Sequence, residues 1–457
     1  MATTYLTKTF SSGGNQRIWT LSFWVKLPRG TKDDRYIISY AASSGSNPRG
    51  SMEFRSNANG NTFRVGFNPT GSSWTNCDVD NRLFRDHGAW YHVVVAVDTT
   101  QATASNRVKI YINGEQETVS TQPSQNFDTG FNHTHQTSYG RYENSDSSYF
   151  EGILSHIHFI DGTQYAASDF GSTDSTTGEW EIKTSPSVTY GSNGYFILKD
   201  GNSVTDQSGN SNNFAVGGGT LTNTEDCPSN NFATMNPLLP SAKAVVDHAN
   251  GMSNGNTYNG DQSPNNWQSI AATMAATSGK FYWEFKIENV WGSTSNTTHR
   301  HGIANYDTQL NNNLSSAGDV AWTDDTYAIG WQNSSGIRYN NSVTSGYGTY
   351  VANDILMFAM DLDNLKLYVG KNGTWENSGD PTSGSSGTGA YTIPTAGFWC
   401  PYSETKYGSD KVSWNIGNGA FRSTAISSEG TNASGHGKFE YNVPANYTAL
   451  CTKGLNE

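Results

Sequence analysis

The chain has few cysteines, few basic residues and no long apolar run. Its 457 residues include four cysteines, and no two of them have the spacing of a metal-binding or redox motif. This pattern predicts buried free thiols rather than disulfides or a metal site. Only 28 lysines and arginines stand against 40 acidic residues, and the net charge of −12 makes nucleic acid an unexpected partner.

Two further features are missing from the sequence. No segment approaches the roughly 20 consecutive apolar residues that a spanning helix needs, so membrane insertion is not expected. The first residues lack the basic start and the apolar stretch of a signal peptide, which predicts a protein made in a cytoplasm.

The composition indicates many short strands. Hydrophobic residues make up only 34% of the chain, and Gly, Ser, Thr and Asn separate the apolar segments, as is typical of strands joined by turns. A chain of 457 residues is too long for one β-sandwich and long enough for two.

One hairpin pattern occurs twice, in residues 90–114 and 354–373. In both copies a continuous apolar run ends in an aspartate, and a turn leads into an alternating strand that places apolar residues on one face and Lys and Tyr on the other. This repetition favours two related β-sandwiches.

The predicted boundaries follow from composition. Residues 238–264 are rich in Asn, Gly and Ser and contain Pro240 and Pro264, as expected of a connector. We therefore expect a first domain at 1–237, a linker at 238–264, a second sandwich at 265–425 and a C-terminal tail at 426–457.

Several segments carry a family resemblance. Residues 19–26, the first hairpin and residues 150–163 resemble the laminin-G-like members of the concanavalin A-like lectin and glucanase superfamily. Segments of the second half resemble the SPRY domain, another concanavalin A-like sandwich; they are 279–284, 301–304, 327–331, 354–373, 393–401 and 412–421. The resemblances imply an all-β chain with two tandem concanavalin A-like antiparallel β-sandwiches, or jelly rolls.

Other segments resemble structural proteins of tailed phages, especially marine ones. These segments are 168–178, 190–198, 206–210, 228–237 and, at the end of the chain, 443–455. The resemblance implies a virion protein that is associated with the head, the tail or a fibre. Virion surfaces are symmetric, which favours a homo-oligomer.

No catalytic residues are predicted. A glycosidase of this fold needs two carboxylates across a cleft, and no Glu-x-Asp-x-Glu pattern occurs. The nearest acidic cluster, Glu143, Asp146 and Glu151, has the wrong spacing for one strand face. An acid and a base from distant positions remain the alternative, which would make the protein a polysaccharide-degrading glycoside hydrolase of the virion.

Metal sites have two candidate sources. Histidine pairs at 133/135, 156/158 and 299/301 would share a strand face, but no further ligands are evident and we expect them on polar outward faces. Asp200, Asn202, Asp206 and Asn210 have the oxygen density of a Ca²⁺ site. The same four residues could instead cap their own turns, and both interpretations stay open.

Aromatic residues in predicted loops are candidates for carbohydrate binding. They are Trp74, Tyr142, Trp291, Tyr306, Trp322, Tyr347, Tyr350 and Trp375. The SPRY resemblance implies a binding surface of loops at one edge, which selects Trp291, Trp322 and Tyr350. The alternative is that these rings fill the ends of the sandwiches or line subunit interfaces.

These observations lead to one leading hypothesis. The chain is a non-enzymatic phage structural protein that binds host-surface carbohydrate, other virion proteins, or both. Its expected location is the virion. A bacterial adhesin is a weaker alternative, because no export signal is present.

Overall fold

The computed structural model describes most of the chain in two compact units. The described residues are 3–28, 35–42, 48–57, 60–199, 203–237, 252–255, 257–259, 268–290, 299–306, 328–333, 336–340, 342–405 and 410–456. The first unit ends at Leu221 and the second begins at Thr222. No helix in these ranges has the length and hydropathy to cross a membrane.

The first unit is an antiparallel β-sandwich. Its strands are β1 (Tyr5–Lys8), β2 (Ile18–Lys26), β3 (Arg35–Ala41), β4 (Arg49–Asn57), β5 (Gly60–Asn68), β6 (Thr75–Phe84), β7 (Trp90–Asp98), β8 (Val108–Ile112), β9 (Glu115–Gln116), β10 (Gln136–Tyr139), β11 (Ile153–Asp161), β12 (Gly171–Thr173), β13 (Trp180–Ile182), β14 (Tyr195–Ile197) and β15 (Ala215–Gly218). Short 3₁₀ helices lie at Ala104–Asn106 and Ala167–Asp169.

Two sheets form this sandwich. The seven-stranded sheet has the order β15-β1-β10-β3-β4-β5-β6, and the six-stranded sheet has the order β14-β11-β2-β7-β8-β9. Trp19 of β2 contacts Phe67 of β5 with ring centroids 6.4 Å apart, which joins the two inner faces in one core. The alternation in β2 therefore produces an inward apolar face, as expected.

A separate layer lies on the outer face of the six-stranded sheet. We call residues 163–190 the cover segment; it contains the β12–β13 pair. Phe170 of this segment packs on Val94 and Ile160 of the sheet. Strand β2 alternates apolar and polar residues, but from Trp19 to Lys26 it is buried on both faces because this layer shields its polar side.

The second unit is also all-β. Its strands are β16 (Met252–Ser253), β17 (Tyr258–Asn259), β18 (Gln268–Ala271), β19 (Lys280–Asn289), β20 (His299–Asn305), β21 (Ala328–Gln332), β22 (Gly336–Tyr339), β23 (Ser342–Thr344), β24 (Ile355–Asp361), β25 (Lys366–Lys371), β26 (Thr374–Trp375), β27 (Tyr391–Thr392), β28 (Trp399–Thr405), β29 (Lys411–Asn415), β30 (Ala420–Phe421) and β31 (Thr424–Ala425). Its 3₁₀ helices are Glu376–Ser378, Pro381–Ser386 and Gly454–Asn456.

Two sheets again face each other. An eight-stranded sheet has the order β16-β17-β29-β19-β24-β25-β26, with β27 paired to β25, and a six-stranded sheet has the order β18-β28-β20-β21-β22-β23. The Trp414 indole N–H donates to Ser403 Oγ at 3.0 Å and links the sheets through the core. The predicted fold class, an all-β chain of antiparallel sandwiches, is confirmed.

The repeated hairpin pattern corresponds to β7–β8 and β24–β25. In each copy the final strand runs into an Asn-Gly turn with positive φ at both residues: 48° and 84° at Asn113 and Gly114, and 50° and 85° at Asn372 and Gly373. The asparagine Oδ1 accepts the N–H at the start of the preceding strand, at 2.8 Å in the first copy and 2.9 Å in the second. The two hairpins therefore share turn chemistry as well as sequence.

This turn gives a first prediction. Asn372→Ala should lower the free energy of unfolding of the second unit by about 2 kcal/mol, because alanine tolerates positive φ less well than asparagine and the acceptor for Ile355 N–H is lost. Asn372→Gly removes only the acceptor and should cost about half as much. Urea unfolding measures both, and equal losses for the two variants would contradict the argument.

The domain boundaries differ from those expected. Residues 222–237 belong to the second unit, where Phe232, Ala233 and Met235 are buried. Part of the predicted linker forms strands β16 and β17, and β17 pairs with β29. Residues 238–251 lie outside the described ranges.

The C-terminal segment 426–457 is likewise part of the second unit and not a tail. Phe439, Tyr447 and Cys451 are buried in a cluster with Tyr282 and Tyr368 on the outer face of the eight-stranded sheet. Both segments contain few apolar residues, and each contributes only isolated side chains to a core formed by distant strands. Their sequence pattern therefore did not predict that they are part of the folded unit.

The cysteines are as predicted. All four are free; Cys77, Cys400 and Cys451 are buried, and Cys227 is partly buried. Burial raises the pKa of the Cys77 and Cys400 thiols to about 12, which keeps them protonated and unreactive at neutral pH.

Candidate functional site: an aromatic strip on the seven-stranded sheet

The outer face of the seven-stranded sheet carries polar and aromatic side chains. Because Phe63, Val65 and Phe67 of β5 point into the core, the alternate positions of this strand face outward. Register then aligns Glu53, Arg64 and Asp78 in one row across β4, β5 and β6.

Trp74 packs against this face. Its ring covers Gly66 of β5 so closely that a Cβ at that glycine would lie 2.9 Å from a ring carbon. The Trp74 side chain is 37% exposed, and the Arg49 guanidinium lies 5.5 Å from its ring centroid. Glycine at position 66 is thus the residue that allows an aromatic ring to lie against the sheet.

A second aromatic pair lies beside Arg49. Tyr142 stacks on Tyr36 with ring centroids 4.5 Å apart and an interplanar angle of 24°. Burial raises the pKa of the Tyr142 hydroxyl, while the Arg49 and Glu53 charges act on it in opposite directions. This coupling shows that Tyr142 lies near both charges. We call Tyr36, Arg49, Trp74 and Tyr142 the aromatic strip.

The carboxylates around the strip are paired with arginines. Arg64 donates two hydrogen bonds to Asp78, at 2.5 and 2.7 Å, and Arg55 Nε lies 3.8 Å from Glu53 Oε1. Ser51 Oγ donates to the other Glu53 oxygen at 3.0 Å. Such an arrangement offers hydrogen-bonding groups to the hydroxyls of a ligand.

Asn68 adds a buried polar atom near the strip. It pairs with Arg49 across β4 and β5 and is 1% exposed. Its Oδ1 has no hydrogen-bond partner within the described part of the chain. A buried acceptor of this kind is costly unless a ligand or water satisfies it.

The sequence of the first unit matches a known family. Residues 3–168 fit a family model with the description "Concanavalin A-like lectin/glucanases superfamily". The first unit contains a concanavalin A-like domain. The aromatic strip lies within the matched residues. No curated protein matches the chain.

Three solved structures illustrate the similar folds. The SPRY domain of human HERC1 is 16% identical, with 34% of this chain and 83% of that chain covered and a TM-score of 0.25. A SAP-like pentraxin from Limulus polyphemus is 18% identical, with 35% and 71% covered and a TM-score of 0.27. The enzymatically active domain of tailspike protein 2 from bacteriophage CBA120 is 14% identical, with 36% and 25% covered and a TM-score of 0.28.

The predicted glycan-binding residues of the second unit do not form a described site. Trp291 and Trp322 lie outside the described residues. Tyr350 is fully buried, and its hydroxyl donates to the carbonyls of His299 at 3.2 Å and Trp331 at 3.3 Å. The prediction of Tyr350 as a surface platform is therefore wrong, because loop packing buries its ring in the core.

The calcium candidates Asp206 and Asn210 lie in one loop of the concanavalin A-like domain. The Asp206 carboxylate accepts the backbone N–H groups of Phe196, Ser208 and Asn212 at 2.8 to 2.9 Å. Asn210 Nδ2 donates to the carbonyl of Gly191 at 2.6 Å. Asp206 therefore caps its own turn at Ser208 and Asn212, as one of the two interpretations holds. Asn210 instead links this loop to the carbonyls of Gly191 and Gly194. The other two candidates, Asp200 and Asn202, lie outside the described residues.

Most of the paired histidines are not on polar outward faces. His156 and His158 are 2% exposed, and His299 and His301 are 1% and 0% exposed. Among the described residues, no three His, Cys, Asp or Glu side chains form a group that could hold a metal ion. Only the 133/135 pair is partly exposed, with stacked rings 4.0 Å apart.

The acidic cluster that sequence analysis considered for catalysis is organised around an arginine. Arg141 Nη2 donates to Glu143 Oε2 at 2.7 Å, and Arg141 also pairs with Asp146.

Sequence analysis named Trp74 and Tyr142 among the loop aromatics but selected neither of them. The signal that could have found them is the outward register of β4 to β6, with a glycine beneath the tryptophan.

Proposed function

We propose that the protein is a non-enzymatic structural component of a tailed-phage particle that binds host-surface carbohydrate through the aromatic strip. The virion location is supported by the phage-like segments between residues 168 and 237 and at 443–455. Other virion proteins would hold it in the particle, and a homo-oligomer suits a symmetric surface.

The observation that carries the binding proposal is the position of Trp74. A partly exposed ring packed on a sheet beside an arginine, with paired carboxylates on the same face, is an arrangement that can bind sugars. Their apolar C–H faces stack on aromatic rings and their hydroxyls bond to charged groups.

Glycan binding can be tested at Trp74. A panel of bacterial surface glycans should identify a ligand, and Trp74→Ala should weaken its affinity by about 30-fold, or about 2 kcal/mol. Gly66→Ala keeps the ring but displaces it from the sheet, and it should also weaken binding. Calorimetric titration measures both variants.

A matched control is Phe398→Ala, which removes an aromatic ring that is 50% exposed in the second unit. Its affinity should equal that of the wild type. Unchanged binding by both Trp74→Ala and Gly66→Ala would exclude the strip as the site.

Location and catalysis have separate tests. Mass spectrometry of purified particles should find the chain in many copies, and its absence would reject the virion assignment. Incubation with host capsule or lipopolysaccharide should produce no new reducing ends, whereas their appearance would favour the glycoside hydrolase alternative.

A further inference from the structure

Two buried histidines are among the side chains that join the cover segment of the concanavalin A-like domain to the sheet. The first is His92 of β7, which is fully buried. Its ring stacks between Trp24 of β2, at 4.7 Å, and Trp180 of the cover segment, at 5.9 Å. One imidazole therefore joins the sheet to the layer above it.

The hydrogen bonds of His92 require a neutral ring. The Trp180 indole N–H donates to His92 Nδ1 at 2.9 Å, and an indole nitrogen can only donate. Nδ1 must consequently carry the lone pair, and the ring proton is on Nε2, 2.9 Å from Ser22 Oγ. A proton added at Nδ1 would face the Trp180 N–H and break this contact.

The second attachment is His158 of β11. Its Nδ1 lies 2.8 Å from the hydroxyl of Tyr190, at the far end of the cover segment. The ring stacks on Phe196 at 3.9 Å and contacts Phe170 of the cover segment at 5.4 Å. Phe170 and Tyr190, on either side of the β12–β13 pair, thus both contact His158. A tyrosine hydroxyl can donate or accept, so its hydrogen bond with Nδ1 tolerates a protonated ring, and the burial of the ring between Phe196 and Phe170 is what opposes the charged form.

The surroundings disfavour the charged form of both rings. Burial lowers the pKa of His92 to about 3. Burial lowers the pKa of His158 well below its usual value, and the charges of His156, His92 and Lys199 lower it further.

Other charged groups lie on the neighbouring elements. They are Lys26 of β2, Lys109 of β8, Asp169 of the cover segment and Asp206, which acts on Tyr190. Among the described residues, no carboxylate forms an ion pair with either ring that would stabilise an imidazolium.

The cover segment has a smaller contact with the sandwich than the two sheets have with each other. Within the described residues, β12 and β13 pair only with each other. The apolar contact with the sheet is a cluster of four buried residues, Val94, Ile160, Ala167 and Phe170, with partly buried side chains such as Trp180 packed against it, and it is smaller than the core beneath it. Direct hydrogen bonds to the sheet lie at the start of the segment, where Thr20 bonds to Thr163 and Tyr165.

We propose that the cover segment is an acid-released layer: protonation of His92 and His158 detaches residues 163–190 while the sandwich stays folded, exposing the apolar outer face of the six-stranded sheet. The released layer would uncover Val94 and Ile160, together with Trp24. This conformational change is independent of the proposed glycan site.

The sign of the pH effect follows from the lowered pKa values. A released histidine titrates near pH 6.5, so the attachment is fully present above that pH and is lost as pH falls below it. Protonation of each histidine raises the equilibrium population of the released state by up to about tenfold per pH unit. Between pH 7.5 and pH 5 the increase is about 30-fold for each histidine.

Hydrogen exchange of the full chain between pH 7.5 and 5, corrected for the intrinsic pH dependence of exchange, tests the proposal. Exchange within 163–190 should accelerate towards pH 5 by about two to three orders of magnitude, while β2 and β7 stay protected. No acceleration, or equal loss of protection in β2 and β7, would overturn it.

Variants assign the effect to the histidines. His92→Gln and His158→Gln retain an acceptor without a titrating ring. Each should reduce the acceleration of hydrogen exchange in residues 163–190 at pH 5 by about 30-fold. His133→Gln, at the partly exposed pair, should respond as the wild type. Should the glutamine variants fail to fold, Trp180→Phe keeps the ring but removes the donor and should weaken the pH response. An unchanged response in the variants that fold would reject the histidine mechanism.

Discussion

A chain that ends at residue 425 is expected to lose the fold of its second unit while the first unit stays folded. The removed residues are not a tail, because Phe439, Tyr447 and Leu450 are each at most 2% exposed. Phe439 packs edge-on against Tyr282 of β19 with ring centroids 4.9 Å apart. The truncation would remove most of the cover from an apolar sheet face, on which Phe232 and Trp375 would remain.

Glu284 of β19 strengthens this expectation. Its buried carboxyl accepts the backbone N–H groups of Glu440 at 2.9 Å and Tyr441 at 2.8 Å, and burial raises its pKa to about 7. Tyr282 and Asn415 supply further hydrogen bonds, at 2.9 and 3.3 Å. Truncation removes the two backbone donors and leaves an acidic group in an apolar surface, which is costly.

The expected loss is comparable with the whole stability of an ordinary domain. Removing one large buried side chain costs about 3–5 kcal/mol, and domains are stable by about 5–15 kcal/mol. Calorimetry should therefore show one unfolding transition in the truncated chain where the full chain shows two.

The control for the truncation is Leu455→Ala, because Leu455 is 40% exposed near the end of the same segment. It should change stability by less than about 0.5 kcal/mol. Two intact transitions in the truncated chain would show that the C-terminal residues are dispensable.

Arg300→Met is expected to destabilise the second unit by about 3–5 kcal/mol. Arg300 of β20 and Glu404 of β28 are directly opposite in register and form an ion pair at 2.5 Å with side chains 3% and 2% exposed. Loss of the guanidinium leaves a carboxylate in a site that water does not reach. Urea unfolding of the full chain measures the change.

The double variant Arg300→Met/Glu404→Leu separates pairing from packing. It should recover much of the loss, because a buried pair replaced by apolar groups leaves no uncompensated charge. The exposed pair of Arg17 and Asp128, with side chains 44% and 55% exposed, is the control, and Arg17→Met should cost less than about 1 kcal/mol. Equal losses at both arginines would contradict the role of burial.

Part of the candidate site could be read from residue types, and part could not. Trp74 and Tyr142 stood out as aromatics in turn-rich sequence, but Arg49 and Tyr36 became relevant only once the strand register and the 140–150 loop brought them together. Tyr350 had the same loop context as Trp74 and the opposite outcome. Local sequence reports that a ring lies in a loop, but not whether other chain segments cover it.

The period-two patterns of strands such as β2 and β8, and the repeated Asn-Gly hairpin, were sufficient to predict an all-β chain with two sandwiches, because strand alternation and turn conformation are local properties. The outer layers depended on long-range packing: residues 163–190 cover one sheet and residues 438–451 cover another. Those layers bury His92, His158 and Glu284. Each of these side chains acquires its neighbours from positions far away along the chain, and no local pattern encodes that proximity.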